Sequence, residues 1–413
     1  MANIHPFPAI LYRSDTESDV TPRVAPPYDV IDPALEVTLR ERNPYNIVRL
    51  ILPEGSSGGS PYETASGLFR DWMGAGILYR EDKPAMYVWE QEFNHDGTTY
   101  RRRALVAKVT CEPYRPGGVM RHEHTHSGPK EDRLKLFQAT GAQFSQIFGI
   151  FDDEQGEVAA ILARLAGGTE QLAATGDDGH VSRLLGTTDN ETIQGLQDYL
   201  AGCTITIADG HHRYETSVAY YKGLNRQGTT LMTLVPSGDP GLVVLPTHRT
   251  IELPLDEQAF SQALAAKFSV EVLPLESWPG LYQESAHHPE SGIILAVAPT
   301  IDKVFKIGWH EKSAVSTGPE SSDRQLGDVV ILHEYVLPAI SKVFSEDTQH
   351  FGYYHDAGEA VEAARANGRW AFLLRPTSTQ MLLWAAEHQV VLPPKSTYFY
   401  PKFLSGFINA YLD

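Results

Sequence analysis

Five consecutive residues, Asp209-Gly210-His211-His212-Arg213, combine the side-chain types that handle a phosphate group. A glycine lets the backbone come close to a ligand. Arginine presents a planar fork of donors that matches phosphate oxygens. The two histidines can donate hydrogen bonds or pass protons near neutral pH. Asp209 can hold a magnesium ion or act as a base. A structural turn, with histidines that only satisfy buried polar groups, is the plainer alternative.

A second constellation runs Arg121-His122-Glu123-His124-Thr125-His126, with Lys130 and Arg133 shortly after it. Glu123 is the candidate base toward a hydroxyl, and Asp29 is the fallback. His122, Lys130 and Arg133 can stabilise developing negative charge, and Thr125 is a candidate substrate contact. In a strand, His122, His124 and His126 share one face, which would suit zinc or iron. A solvated loop is a further alternative. The third is Pro393-Pro394-Lys395-Ser396-Thr397, where a stiff double proline presents Lys395 and Ser396 to a substrate or is merely tied down by aromatic packing. Pro246-Thr247-His248-Arg249 closes a strand; scaffold is its favoured role, and His248 and Arg249 are candidates for the same cleft. The segment Ala25-Pro26-Pro27-Tyr28-Asp29-Val30 reads as scaffold.

The elements that must position these residues follow from local pattern. The β-branched run 203–208 predicts a strand leading into Asp209-Gly210, and 214–221 predicts the helix after it. A helix N-terminus at the end of a strand is a ready anion site. Runs 85–93 and 99–109 predict a hairpin around Asn94-His95-Asp96-Gly97. Residues 61–73 have helical spacing, with Ala65, Leu68, Phe69 and Trp72 on one face. Residues 130–140 predict a short helix. Residues 47–52, 146–151, 370–375 and 380–385 predict strands. Taken together the pattern is α+β, with a boundary near residue 250 that separates domains 1–250 and 251–413.

Bulk properties narrow the function classes. A chain of 413 residues with 42% hydrophobic and 21% charged residues is an ordinary globular composition, long enough for two or three domains. A net charge of -18 repels nucleic acid and anionic membrane. The one dense basic run is Arg101-Arg102-Arg103. The two cysteines, Cys111 and Cys203, form no CxxC motif, so free thiols in the cytoplasm are expected. No apolar window is long enough for a membrane span. There is no GxxxxGK[ST] loop, no GxSxG elbow and no dinucleotide-type GxGxxG.

The motifs together resemble the bacterial and archaeal family known as domain of unknown function 1015. The likeness rests on Ala25-Pro26-Pro27-Tyr28-Asp29-Val30-Ile31, Asn46-Ile47-Val48-Arg49-Leu50, Arg121-His122-Glu123 and Pro129-Lys130-Glu131-Asp132-Arg133-Leu134. It continues through Ile207 to Thr216, Leu245-Pro246-Thr247-His248-Arg249 and Pro394 to Lys402. Gln146 stands where the family usually has proline, and Leu392 where methionine is common. Gly210-His211-His212-Arg213 is also similar to the phosphate box of the ParB and sulfiredoxin-like superfamily, which includes free serine kinases. That resemblance implies a ParB/sulfiredoxin-like nucleotide-binding core with an added C-terminal α/β domain. It also implies ATP or ADP as phosphoryl donor, Mg2+ as cofactor, and serine or phosphoserine as the small molecule. The expected activity is a serine kinase-like phosphotransferase; phosphoserine hydrolysis and a nucleotide-gated binding protein are the alternatives. A homodimer is a further expectation.

Overall fold

The chain reverses at Asp96-Gly97, where φ is 47° and 74°. Positive φ at both central residues marks a tight hairpin whose twist matches its strands. It joins Met86–His95 to Thr98–Thr110, which pair from Tyr87↔Val106 to His95↔Thr98. The computed structural model describes residues 3–13, 18–55, 59–123, 127–287, 293–309, 327–340 and 351–412. These fall into two units, Met1–Val243 with Pro401–Asp413, and Val244–Tyr400. A single cut at residue 250 does not describe this division, because Pro401–Asp413 returns to the first unit and the 244–250 segment joins the second.

In the first unit the hairpin lies within a nine-stranded sheet among the described residues. The order is Val119–Met120, Ile205–Asp209, Ile147–Phe151, Thr229–Pro236, Thr98–Thr110, Met86–His95, Val181–Thr187, Glu170–Thr175, with Ile4–His5 beside Thr98–Thr110. Two pairings are parallel: Val119–Met120 with Ile205–Asp209, and Ile147–Phe151 with Thr229–Pro236. One face buries Val88, Leu105, Ile205, Ile207, Met232 and Leu234 against Val158 and Leu162 of the helix Glu157–Leu165 and Leu196 and Leu200 of Asn190–Leu200. Those helical residues recur at the spacing of one face.

The other face takes the returning C-terminal segment. Phe403 packs on Trp89 at 4.9 Å and Phe148 at 5.1 Å, and Phe407 packs on Trp89 at 4.6 Å. Ala410–Tyr411 then pairs with Ala142–Gln143. The basic run is used up here. Arg101 and Arg103 bond to Glu92 and Glu90 at 2.6 and 2.8 Å. Arg102 is fully buried, with its guanidinium 4.4 Å from the Phe403 ring, and it donates to Gln91 Oε1 and the Pro401 carbonyl. Burial lowers its pKa to about 9.

Two expected strands are helices. Residues 47–52 contain Val48–Ile51 as a helical turn, because the Asn46 side chain accepts from the Val48 N–H and donates to the Pro22 and Val24 carbonyls. Side-chain capping here outweighs β propensity. Residues 380–385 lie in the helix Thr379–Glu387, whose N-cap Ser378 accepts from the Met381 N–H.

The second unit holds a six-stranded antiparallel sheet among the described residues, in the order Phe268–Pro274, Lys303–Trp309, Ile294–Val297, Trp370–Leu373, His248–Ile251, Gly352–Tyr354. Alternate residues serve opposite faces: Trp370 and Phe372 pack with Phe260 and Phe305, whereas Ala371 and Leu373 pack with Ala360 and Val361. The chain is thus a mixed α/β protein. Among the described residues no helix is long and apolar enough to cross a membrane.

Candidate functional site

Three strand ends build the site. Val119–Met120 and Ile205–Asp209 are parallel, so their C-terminal ends lie side by side and bring His122-Glu123 to Asp209-Gly210. Ile147–Phe151 is antiparallel to Ile205–Asp209, so its leading end, at Gln146, lies at the same edge. The register slips between Ile207 and Asp209. Such a bulge turns the strand's last side chain out of the regular alternation.

Gly210 makes the corner between strand and helix. Its φ is +92°, and a Cβ there would lie 2.9 Å from the Arg213 guanidinium carbon. The glycine therefore serves both the left-handed backbone and the close passage of an arginine. The helix His211–Gly223 begins directly after it without a side-chain cap. The leading N–H groups of that helix and the positive end of its dipole lie at this corner. Tyr214 fixes the helix: it is fully buried, stacks on Tyr114 at 5.4 Å and donates to the Glu112 carbonyl at 2.8 Å.

The charged residues around this corner hold one another. Arg213 donates to Asp209 Oδ2 at 2.8 Å and to the Gln146 carbonyl, and it is 6% exposed. Lys402 reaches Asp209 Oδ1 at 3.3 Å. A carboxylate with a cation on each oxygen is already neutralised, which makes Asp209 a poor magnesium ligand or base. Among the described residues no group of three histidine, cysteine, aspartate or glutamate side chains converges as a metal site. His124, Thr125 and His126 lie outside the described residues.

Glu123 and His211 form the other pair. Glu123 Oε1 lies 3.2 Å from His211 Nδ1, with the glutamate side chain 21% exposed and the histidine side chain 2%. Glu123 is thus the member that a ligand can reach. Among the described residues His211 Nε2 is buried and has no hydrogen-bond partner. His122 is fully buried, meets the His211 ring edge-on at 4.6 Å and donates from Nδ1 to the Ile207 carbonyl at 2.7 Å. Burial, reinforced by His211, pushes the His122 pKa down to about 4, so it is neutral at pH 7. That removes His122 as a source of positive charge and makes it the support of the strand edge. His212 is partly exposed on the first turn of the helix.

Other expected contacts are committed elsewhere. Lys130 is bonded to Glu215 at 2.6 Å. Arg133 is buried, bonded to Asp132 and the Ile51 carbonyl, and lies 4.4 Å from the Tyr28 ring centroid. Its fork therefore has little left for a phosphate. His248, Arg249, Lys395 and Ser396 come together in the second unit. Arg249 is buried and donates to the carbonyls of Thr247, Pro394 and Lys395, the last two at 3.1 and 2.9 Å. His248 is buried and accepts at Nδ1 from the Leu374 N–H at 3.0 Å, and burial lowers its pKa to about 3. Ser396 is buried and donates to the Pro393 carbonyl. These are framework contacts; Lys395 is exposed, at φ 59°. Tyr28 lies in the segment that the sequence reads as scaffold. The charges of Arg213, Arg133 and Asp209 all act on its phenol, although burial and then Asp29 are what mainly raise its pKa. The double proline before it was the available signal for a rigidly held ring.

The family model described as protein of unknown function (DUF1015) matches residues 4–381. The chain belongs to this family. No curated protein matches it. Among solved structures this DUF1015 chain is similar to a free serine kinase in complex with AMP, at 14% identity and TM-score 0.35, covering 68% of this chain and 83% of that one. It is also similar to a conserved hypothetical protein from Pyrococcus furiosus, at 16% identity and TM-score 0.34, covering 69% and 89%. SbnI with C-terminal truncation from Staphylococcus aureus is similar at 8% identity and TM-score 0.37, covering 70% and 82%.

Proposed function

We propose that this protein is a phosphotransferase that moves a phosphoryl group from a nucleotide, ATP or ADP, to a serine-like hydroxyl. The observation that carries the reading is the reachable Glu123 carboxylate beside the glycine-led start of the helix His211–Gly223. In this reading the helix N-terminus and His212 hold phosphate oxygens. Glu123 takes the hydroxyl proton as the hydroxyl oxygen bonds to phosphorus, and the bond to the leaving nucleotide phosphate breaks. His211 holds the carboxylate in place through Nδ1. A carboxylate has lone pairs on both oxygens and can accept several hydrogen bonds at once. Asp209, Arg213 and Lys402 act as a prepaid electrostatic frame, which costs no reorganisation when charge moves. Magnesium is read as part of the nucleotide substrate, because the carboxylates at the corner do not suit a resident ion.

One observation favours a second reading, a nucleotide-gated binding protein. Arg213 is bonded to Asp209, and an arriving phosphate would compete with Asp209 for that guanidinium, which makes the pair a natural switch. Phosphorus NMR with ATP or ADP and L-serine separates the two. Phosphoserine formation that disappears in Glu123→Gln supports transfer. Nucleotide binding without any turnover would replace it with the gated protein.

A further inference from the structure

Beside the box lies a recess of about 240 Å³ lined by Tyr28, Glu36, Pro53, Tyr62, Asp132 and Arg133 among others. It is smaller than the roughly 300–1,000 Å³ of pockets that enclose a whole drug-sized ligand, so it has room for a fragment. Asp132 and Arg133 of its lining belong to the helix Ser127–Thr140, whose Lys130 bonds to Glu215 at 2.6 Å, about one turn into the helix that starts at the box.

The walls are flat and fixed. The Arg133 guanidinium covers the Tyr28 ring at 4.4 Å. Arg133 itself is locked by Asp132 Oδ2 at 2.7 Å and the Ile51 carbonyl at 2.6 Å. Tyr62 donates to Asp132 Oδ1 at 2.8 Å, which sets the pose of its ring. Tyrosine and proline surfaces of this kind take the face of a planar ring. The polar rim is mainly acceptor in character. Arg133 gives three of its donors to Asp132 and the Ile51 carbonyl, whereas the Glu36 carboxylate is bonded to Arg40 through Oε1 and the Asp132 side chain is 45% exposed. Carboxylates with lone pairs to spare call for N–H donors on the guest.

We propose that this recess binds the base of the nucleotide whose phosphates meet the Gly210–Arg213 corner, and that it selects a base with an exocyclic amino group. The inference rests on the phosphate-binding reading of that corner but not on transfer to serine.

The test is titration calorimetry of the whole protein with ATP, UTP, inorganic triphosphate and L-serine. Wild type, Tyr62→Leu and Glu36→Gln would be compared, with thermal melts to confirm folding. The expected result is that wild type binds ATP about tenfold or more tightly than triphosphate or UTP. Tyr62→Leu should lose about tenfold for ATP, in line with the stacking contribution of a single base, and leave triphosphate unchanged. Glu36→Gln should narrow the preference for ATP over UTP. If both variants bind ATP as wild type does, the base sits elsewhere and the phosphate corner stands. Equal binding of ATP and UTP by wild type overturns the selection of an amino-bearing base. If Tyr62→Leu loses only L-serine, the recess belongs to the acceptor and the proposal falls. If wild type binds neither ATP nor triphosphate, the phosphate-binding reading falls with it.

Discussion

At the scale of single residues, Glu123 and Gly210 make opposite kinds of demand. Glu123 is a chemical group placed within reach of a ligand by a buried histidine, so its removal should leave the fold alone and stop the reaction. Glu123→Gln is expected to lower phosphoserine formation by about 10²- to 10⁴-fold, the usual range for a general base, with nucleotide affinity unchanged by calorimetry. Gly210 is a geometric residue. At φ +92°, with the Arg213 guanidinium carbon 2.9 Å from an added Cβ, Gly210→Ala is expected to cost about 1–3 kcal/mol. It should weaken triphosphate binding as the arginine is displaced. A urea midpoint unchanged from wild type would show that the corner is not strained in this way. The residue types of this corner are legible in the sequence because glycine, two histidines and arginine in succession have few structural reasons to be adjacent. Their commitments are not legible: nothing local shows that Arg213 bonds to Gln146 or that Lys402 reaches Asp209, since those partners lie far along the chain.

At the scale of elements, the turn at 46–51 shows how a single polar side chain can redirect an apolar run. Asn46 is fully buried and makes three backbone hydrogen bonds. Asn46→Ala leaves a buried N–H and two carbonyls without that partner. It is expected to cost about 2–4 kcal/mol, read as a fall in the urea midpoint. A loss below about 0.5 kcal/mol would mean that surface-like tolerance, not capping, governs the segment. The hairpin at 94–97 was legible because its turn chemistry is local and its strands alternate. The runs 47–52 and 380–385 were not, because short apolar stretches fit strand and helix alike and the deciding caps, Asn46 and Ser378, sit just outside them. The strand–glycine–helix corner was legible for the reason the hairpin was: its signal is contiguous.

At the scale of the whole molecule, two buried histidines contribute to the loss of stability in acid. His122 in the first unit and His248 in the second have pKa values near 4 and 3 against an ordinary 6.5. Below pH 6.5 the unfolded chain binds protons at these sites and the folded chain does not, so stability falls as pH falls. The loss at each site ends once its folded pKa is passed. Between pH 7 and pH 5 each site is expected to contribute about 2 kcal/mol of destabilisation. His122→Asn keeps a donor for the Ile207 carbonyl and should flatten the pH dependence of the urea midpoint. An unchanged slope would remove His122 from the account. Domain organisation was the least legible property. A boundary near 250 follows from a local change of pattern, whereas the return of Pro401–Asp413 to the first unit rests on Phe403, Phe407 and the Pro401 carbonyl meeting Trp89 and Arg102. That return also imposes a timetable. On the ribosome the whole of Val244–Tyr400 is made before 401–412 emerge, so the first sheet waits with Trp89 uncovered and Asp209 without Lys402. A nascent chain stalled before residue 401 would carry Asp209 held by Arg213 alone, and the second cation would reach it only after synthesis had passed that point.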